Sequence, residues 1–327
     1  MSNYIPSEIK IKIFCHLPAK SLIRFRSVSK EWKSLIDSSE FSSDFIVRQA
    51  QRKRLFLRLY EDDTKKGEYC RIVDDDDTFP QHMISVRKSV TIDAPYYKHV
   101  NIGFGVCPKS LDPKIIRINS VKLPYDYNVG YERTLLRFEI FTLSGGIWRR
   151  PLTKFPSKWI EVKLWSKTSV GLNGFVYWHA LCMRDYMMMS FDLASEKFTK
   201  IHVPRKIART QFEIFKLRES IGVFRYGSKR RYHVWLMDHD SKSFIKLYTF
   251  TTLPITHWRW KVVGFRDNDQ LIIEKYGEDL VEGRSVDAQS QLVAYEPNSK
   301  QFNQLGFYFG CYSFTSYTES LLLLDQR

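Results

Sequence analysis

"FDLASEKF", residues 191–198, is one of four stretches with the same pattern in the 327-residue chain. Each stretch opens with an apolar residue, continues through a polar turn and reaches Phe or Trp seven positions later. The other three are "FTLSGGIW" (141–148), "MDHDSKSF" (237–244) and "YEPNSKQF" (295–302). The pattern predicts four β-hairpins, in which the first and last residues of each stretch lie at matching positions on neighbouring strands.

The spacing of these hairpins indicates the fold of most of the chain. They begin at residues 141, 191, 237 and 295, so they recur about every 50 residues. Other strand-like segments are "RLFLRLYED" (54–62), "GFVYWHAL" (174–181), "SIGVFRY" (220–226), "WKVVGF" (260–265) and "QLIIEKY" (270–276). Hairpins at this interval are typical of β-propeller blades. A β-sandwich with evenly spaced hairpins is the alternative.

Residues 5–36, "IPSEIKIKIFCHLPAKSLIRFRSVSKEWKSLI", have instead the periodicity of three short helices. Apolar residues recur every four positions in the first helix, at Ile5, Ile9, Ile13 and Leu17. Pro18 ends that helix because the residue before a proline avoids the α conformation. A second helix is predicted over about 19–26, and Ser27 or Ser29 can cap a third.

This helical unit is too small to bury a large core of its own, since it has only about 45 residues. Two interpretations follow from the periodicity. Either the helices dock on the β domain of the same chain, or their remaining apolar face binds a partner protein.

Charge and cysteine content limit the possible partners and compartment. The chain has 51 Lys and Arg against 36 Asp and Glu, a net charge of +15, which favours acidic proteins or nucleic acid as neighbours. The aromatic and basic segment "HWRWK" (257–261) makes a nucleic-acid-binding β module the alternative function. Five scattered cysteines without a CxxC pair indicate reduced thiols and a cytoplasmic or nuclear protein. We expect no signal peptide and no membrane span.

No motif predicts catalysis, a metal or a cofactor. The acidic run 74–77 lacks the spacing of a calcium loop and is interpreted as a solvated loop. His179 and Cys182 form a lone pair that is interpreted as buried. Gly103 and Gly105 lack the third glycine of a phosphate-binding loop and are interpreted as supporting a strand turn. We therefore expect no enzyme activity.

The helical stretch resembles the F-box, the motif that docks substrate receptors onto the Skp adaptor of cullin-type ubiquitin ligases. The resemblance rests on Ile5-Pro6, Glu8, Leu17-Pro18, "KSLIRFRSV" (20–28), Lys30, Trp32 and Leu35-Ile36. It departs from the family at Ile5, where Leu is usual, and at Lys10 and Lys12. The resemblance implies that the adaptor contacts Ile5, Pro6, Ile9, Ile13, Leu17, Pro18, Leu22, Val28 and Trp32.

The remainder resembles the plant F-box-associated type 1 domain, which is kelch-like. The segments that carry this resemblance are 103–118, 147–151, 172–180, 190–204, 264–274, 292–307 and 316–324. Relatives carry a Gly-Leu element and a Trp-Asn-Pro turn upstream of the segment equivalent to "RKSV" (87–90), and this chain has neither. We therefore predict that about one blade's worth of the family sequence is missing.

Together the two resemblances imply a three-helix F-box over 1–48 and an all-β, propeller-like substrate-binding domain over 49–327. The implied function is that of a substrate-recognition subunit of a Skp–cullin–F-box (SCF) ubiquitin ligase. The implied partners are the Skp adaptor, the cullin and RING subunits reached through it, and a protein substrate of unknown identity.

Overall fold

A computed structural model describes residues 5–60, 68–76, 83–86, 100–122, 134–151, 160–161, 169–182, 185–210, 212–227, 231–238, 240–251, 259–266, 268–281, 284–306, 310–319 and 321. Within these ranges no helix is long and apolar enough to cross a membrane.

Four helices form the N-terminal unit: α1 (Ser7–Phe14), α2 (Ala19–Phe25), α3 (Lys30–Ile36) and α4 (Ser39–Gln51). Pro18 precedes α2 and Ser29 caps α3, where the Ser29 hydroxyl accepts a hydrogen bond from the Trp32 amide at 3.1 Å. These observations confirm the three predicted helices. The fourth helix was not predicted; it is capped by Ser38, which accepts from the Phe41 amide at 3.2 Å.

The remaining chain forms five antiparallel sheets, which are the blades of a β-propeller. Blade 1 contains β1 (Arg54–Tyr60), β2 (Glu68–Asp74), β3 (Met83–Val86) and β21 (Gly310–Tyr317). Blade 2 contains β4 (Val100–Val106), β5 (Pro113–Lys122), β6 (Thr134–Thr142) and β7 (Trp148–Arg149). Blade 3 contains β8 (Ile160–Glu161), β9 (Val170–Leu172), β10 (Phe175–Cys182), β11 (Asp185–Asp192) and β12 (Lys197–Ile201), and the short α5 (Arg205–Ala208) follows it.

Blade 4 contains β13 (Phe212–Leu217), β14 (Ser220–Tyr226), β15 (Arg231–Met237) and β16 (Phe244–Thr251). Blade 5 contains β17 (Arg259–Phe265), β18 (Leu271–Val281), β19 (Arg284–Glu296) and β20 (Gln301–Gln304). The fold expected from the hairpin spacing is confirmed, and the sandwich alternative is wrong.

The four repeated stretches are the hairpins between the last two strands of blades 2 to 5. Their first and last residues are direct cross-strand partners, as predicted: Phe141 with Trp148, Phe191 with Phe198, Met237 with Phe244, and Tyr295 with Phe302. In each stretch, the residue five positions after the first has a positive φ of 54–65°. These residues are Gly146, Glu196, Lys242 and Lys300. The same position in each turn therefore has a left-handed backbone conformation, although glycine occupies that position only in blade 2.

The C-terminal strand β21 closes blade 1 by pairing along β1, so the two ends of the propeller domain share one sheet. Blade 5 adds an ion pair to blade 1, in which Arg266 Nε lies 2.5 Å from a buried Asp75 carboxylate oxygen. The interpretation of the acidic run as a solvated loop is therefore wrong for Asp75, whose charge is paired between two blades. Asp77 lies outside the described residues.

Hydrophobic clusters fill four of the interfaces between neighbouring blades, from blade 2 round to blade 1. At the interface of blades 2 and 3, a Cβ added to Gly103 would lie 2.3 Å from the Trp178 ring, and one added to Gly105 would lie 2.6 Å from Leu193. These glycines therefore lie within β4 and allow the two blades to approach closely. Their interpretation as turn glycines is wrong.

The interface between blades 2 and 1 is different in the described part of the chain, where no hydrophobic cluster joins these two blades. Ile102 and Phe104 lie on the face of β4 opposite the two glycines and are 36% and 57% exposed. The segment 87–90, beside which we predicted the missing blade sequence, lies outside the described residues.

Candidate protein-interaction site

The helical unit has a compact aromatic core. The Phe14 ring lies 4.9 Å from Trp32 in an edge-on contact, and the Phe25 ring lies 5.3 Å from Trp32. Fully or nearly fully buried residues around them are Cys15, Leu22, Ile36, Phe41 and Phe45. The interpretation of Cys15 as a core residue is confirmed, and burial raises the pKa of its thiol.

Residues from the far end of the sequence complete this core. Leu321 is 1% exposed and belongs to the helical cluster. Glu319 accepts a hydrogen bond from the Ala19 amide at 3.0 Å and lies 3.3 Å from the guanidinium of Arg54, the first residue of β1. The helices therefore dock on the propeller beside the end of β21, which agrees with the first of the two interpretations above.

The opposite side of the unit remains apolar and exposed. Ile5, Ile9 and Ile13 are 47%, 48% and 50% exposed. Ile23 on α2 and Val28 after it are also exposed large apolar residues. We call these five residues the open face. Exposed apolar patches of this kind are typical of protein-interaction sites, so docking on the propeller leaves the second interpretation, binding of a partner protein, as a prediction.

The predicted adaptor-binding residues fall into two groups. Ile5, Pro6, Ile9, Ile13, Pro18 and Val28 are exposed. Leu17 and Trp32 are partly buried against the helical core, and Leu22 is completely buried within it. Because Leu22 is completely buried, it stabilises the packing of the helices that carry the open face. Ile23 was not among the predicted residues; it follows the completely buried Leu22 on α2 and is 47% exposed.

Lys10 and Lys12, the two lysines that depart from the F-box pattern, lie in different environments. Lys10 Nζ is 2.6 Å from a carboxylate oxygen of Glu31, and this ion pair joins α1 to the start of α3. Lys12 is exposed. Lys10 is therefore drawn toward α3, and its charge is neutralised there.

The other residues considered for chemistry are structural. His179 is buried, with its ring centroid 4.3 Å from that of Phe212 and 5.2 Å from that of Tyr186, as predicted. In the segment considered for nucleic-acid stacking, the partly buried Trp260 packs edge-on against Phe302 at 5.1 Å. Within the described ranges, no group of three or more His, Cys, Asp or Glu residues could hold a metal ion.

Two family models match the sequence of this chain, one over the helical unit and one over the propeller. Residues 4–44 match the F-box domain, and residues 114–306 match the F-box associated beta propeller domain. The second match covers more than half of the chain. The chain therefore belongs to the plant F-box proteins that carry an F-box-associated β-propeller domain.

Individual proteins are similar in sequence to this chain. The chain is 24% identical over 334 residues to "F-box/kelch-repeat protein At2g43445" of Arabidopsis thaliana, covering 92% of this chain and 77% of the relative. It is 24% identical over 338 residues to "Putative F-box protein At4g09190" of Arabidopsis thaliana, covering 90% and 84%. Among solved structures, "putative TolB from Agrobacterium tumefaciens" aligns with a TM-score of 0.40 and 11% identity, covering 83% and 98%. That TM-score is too low to carry an argument.

Proposed function

We propose that this protein is the substrate-recognition subunit of an SCF ubiquitin ligase. The open face of the helical unit binds the Skp adaptor, and the propeller binds the protein to be ubiquitinated. One observation carries the proposal: the helices use one side to dock on the propeller through Leu321 and Glu319, and leave Ile5, Ile9 and Ile13 exposed on the other.

The residues in and around the open face contribute to adaptor binding in different ways. Ile5, Ile9, Ile13, Ile23 and Val28 contribute apolar contact area, and Pro6 and Pro18 set the starts of α1 and α2. Leu22 is completely buried and holds the helices together from inside the core, whereas the partly buried Leu17 and Trp32 keep some surface for contact with the adaptor. Burial of several large aliphatic side chains supplies the free energy of such an interface.

The proposed role is not catalytic. A receptor of this kind raises the effective concentration of its target next to the conjugating enzyme, which is brought by the cullin and RING subunits. We place the protein in the cytoplasm or nucleus, where unpaired thiols such as the buried Cys15 and Cys107 are stable.

The alternative, a nucleic-acid-binding module, has less support. It depended on aromatic rings being available for base stacking. Residues 257–258 lie outside the described part of the chain, and the Trp260 ring already packs against the Phe302 ring.

The test measures binding of the full chain to a purified plant Skp adaptor by calorimetry. Replacing Ile9 and Ile13 with Asp should weaken binding about 100-fold or more, because each change puts a charge into an apolar interface. Val47→Asp is the control, since Val47 is also an exposed apolar residue, on α4, but lies outside the matched F-box residues. The proposal fails if the wild-type chain does not bind, or if the Ile9/Ile13 variant binds as well as the Val47 variant.

A further inference from the structure

The outer part of blade 3 contains a cavity of about 440 Å³. Its walls come from the start of β11, the end of β12 and α5, and four of its lining residues can carry positive charge: Lys200, His202, Arg205 and Arg209. Tyr186 contributes an aromatic wall. We call this cavity the basic pocket. Its volume lies in the range of about 300–1,000 Å³ that is common for ligand sites.

The local fold explains why the pocket forms. The pairing of β12 with β11 ends at Ile201 and Met188, and the chain then leaves the sheet through Pro204 into α5. Ile207 and Ala208 anchor that helical turn by burying their side chains. Because β12 does not continue beside the start of β11, a hollow remains between the sheet edge and the helical turn.

The basic side chains are held on fixed supports. Arg205 and Arg209 lie one helical turn apart, linked by a 3.4 Å backbone hydrogen bond, so they project from the same side of the turn. The Tyr186 ring stacks against His179, with ring centroids 5.2 Å apart. A ligand in this pocket therefore meets groups whose backbones are already positioned, which lowers the cost of ordering on binding.

The charge of the pocket is unbalanced. Among the described residues that line it, none is acidic. Throughout the described ranges, no carboxylate lies within ion-pair distance of Lys200, Arg205 or Arg209. Some other basic residues of the propeller are paired, as in Arg117 with Glu139 at 2.6 Å and Lys261 with Glu274 at 3.1 Å. A concave site lined by cations of one sign concentrates anions.

Strand directions locate the pocket relative to the helices. β21, the innermost strand of blade 1, ends beside the F-box, and the innermost strands of a propeller run in the same direction. In blade 3, β9 therefore runs toward the F-box end, β10 runs away from it, and β11 starts at the far end. Tyr186 is the second residue of β11, so the basic pocket opens at the end of the propeller away from the open face.

We propose that the basic pocket binds an anionic side chain, a carboxylate or a phosphate, in an acidic segment of the target protein. The proposal rests on the receptor function proposed above. Two guanidinium groups and an ammonium group suit both anions, because guanidinium donates paired hydrogen bonds to carboxylate and phosphate oxygens. A pocket of this size accepts one or two side chains, whereas single-stranded nucleic acid requires a groove along its backbone.

The experiment uses the full chain and four fluorescent probes at physiological salt. The probes are a short Glu-rich peptide, a phosphoserine peptide, an uncharged Gln/Ser peptide of the same length and a single-stranded oligonucleotide. The variant is Arg205→Glu with Arg209→Glu. The control is Lys206→Glu, because Lys206 is an exposed residue of the same turn that does not line the pocket. Thermal unfolding checks that both variants are folded, and adaptor affinity is measured on the same samples.

We expect at least one anionic peptide to bind and the uncharged peptide not to bind. The Arg205/Arg209 variant should lose about tenfold or more in peptide affinity, and the Lys206 variant less than about twofold. Tighter binding of the phosphopeptide identifies phosphate as the preferred group, tighter binding of the Glu-rich peptide identifies carboxylate, and equal binding shows that the pocket accepts both anions. The proposal is overturned if neither anionic peptide binds, if both variants lose affinity equally, or if the oligonucleotide binds more tightly and the Arg205/Arg209 variant loses it. Adaptor binding reports separately on the receptor function, since these substitutions lie away from the open face.

Discussion

In the helical unit, Ile9 and Ile13 keep about half of their surface exposed, whereas Ile116, Ile140 and Val234 in the propeller strands are completely buried. The propeller blades cover each other's faces at the four interfaces from blade 2 round to blade 1, and β21 closes blade 1. The helices are covered on one side only. The difference shows which part of the chain is complete by itself and which part has a surface suited to a partner.

The two regions are nevertheless joined. Leu321 fills the helical core, and Glu319 links Ala19 to Arg54. Substitutions that separate stability from adaptor binding therefore test how far the comparison holds.

The largest effect on stability is expected for Phe198→Ala. Phe198 lies in the core between blades 2 and 3, with its ring centroid 4.6 Å from Phe138 and 4.7 Å from Phe191. Truncating a buried Phe costs about 3–5 kcal/mol of unfolding free energy. Chemical denaturation should show that loss, while adaptor affinity at low temperature stays within about twofold. If the Phe198→Ala variant were still folded but had lost adaptor binding completely, the adaptor would depend on the propeller core, and the contrast between the two regions would be wrong.

A smaller but more informative loss is expected for Leu321→Ala. The side chain fills the helical core from the C-terminal segment, so its removal should cost about 2–4 kcal/mol. Limited proteolysis should then cut within α1 to α4 before it cuts the propeller. Residues 1–50 prepared alone lack both Leu321 and Glu319, so we expect that fragment to bind the adaptor more weakly than the full chain does. Equal stability of wild type and Leu321→Ala would show that the docking contributes nothing.

The propeller should respond to pH through Glu213 on β13. Burial raises the pKa of Glu213 from 4.5 to about 7, although a hydrogen bond from Tyr226 and the charge of Lys261 oppose the shift. The folded state thus holds a proton that the unfolded state releases, and the free energy of unfolding falls as pH rises from about 4.5 to about 7. Glu213→Gln should remove this contribution. Denaturation curves at pH 5 and pH 7 should show a larger decrease for wild type than for the Gln variant, and parallel decreases would contradict the assignment.

The smallest effect is expected for Trp148→Ala, about 1 kcal/mol. Trp148 occupies in the blade 2 repeat the position that Phe198 occupies in the blade 3 repeat, but Trp148 is 37% exposed, and the Arg117 guanidinium lies 4.2 Å from its ring centroid. The substitution mainly removes a cation–π contact. A stability loss as large as that of Phe198→Ala would mean that this face of blade 2 is covered in the folded protein.

Local patterns predicted much of this structure. The four hairpins share turn chemistry and aromatic spacing, so their cross-strand pairs could be assigned residue by residue. The helices before Pro18 and after Ser29 followed from short-range signals. Helix α4 was missed because its buried Phe41 and Phe45 are separated by polar residues, and a pair of apolar positions is a weak periodic signal.

Contacts between distant parts of the sequence could not be predicted. Glu319 meets Ala19 across 300 positions, and Asp75 meets Arg266 across 191. Sequence alone does not distinguish a turn glycine from one at an interface between blades, which is why Gly103 and Gly105 were misinterpreted. The net charge of +15 likewise gave no indication that unpaired cations gather beside α5.

Hydrogen exchange of the full chain, with and without the Skp adaptor, tests the central claim most directly. The amides of α1 and α2 lie beneath the open face and should exchange more slowly in the complex. The amides of β10 to β12 in blade 3 should exchange at the same rate in both states. Protection confined to the propeller, with α1 and α2 unchanged, would contradict the assignment of the open face as the adaptor-binding surface.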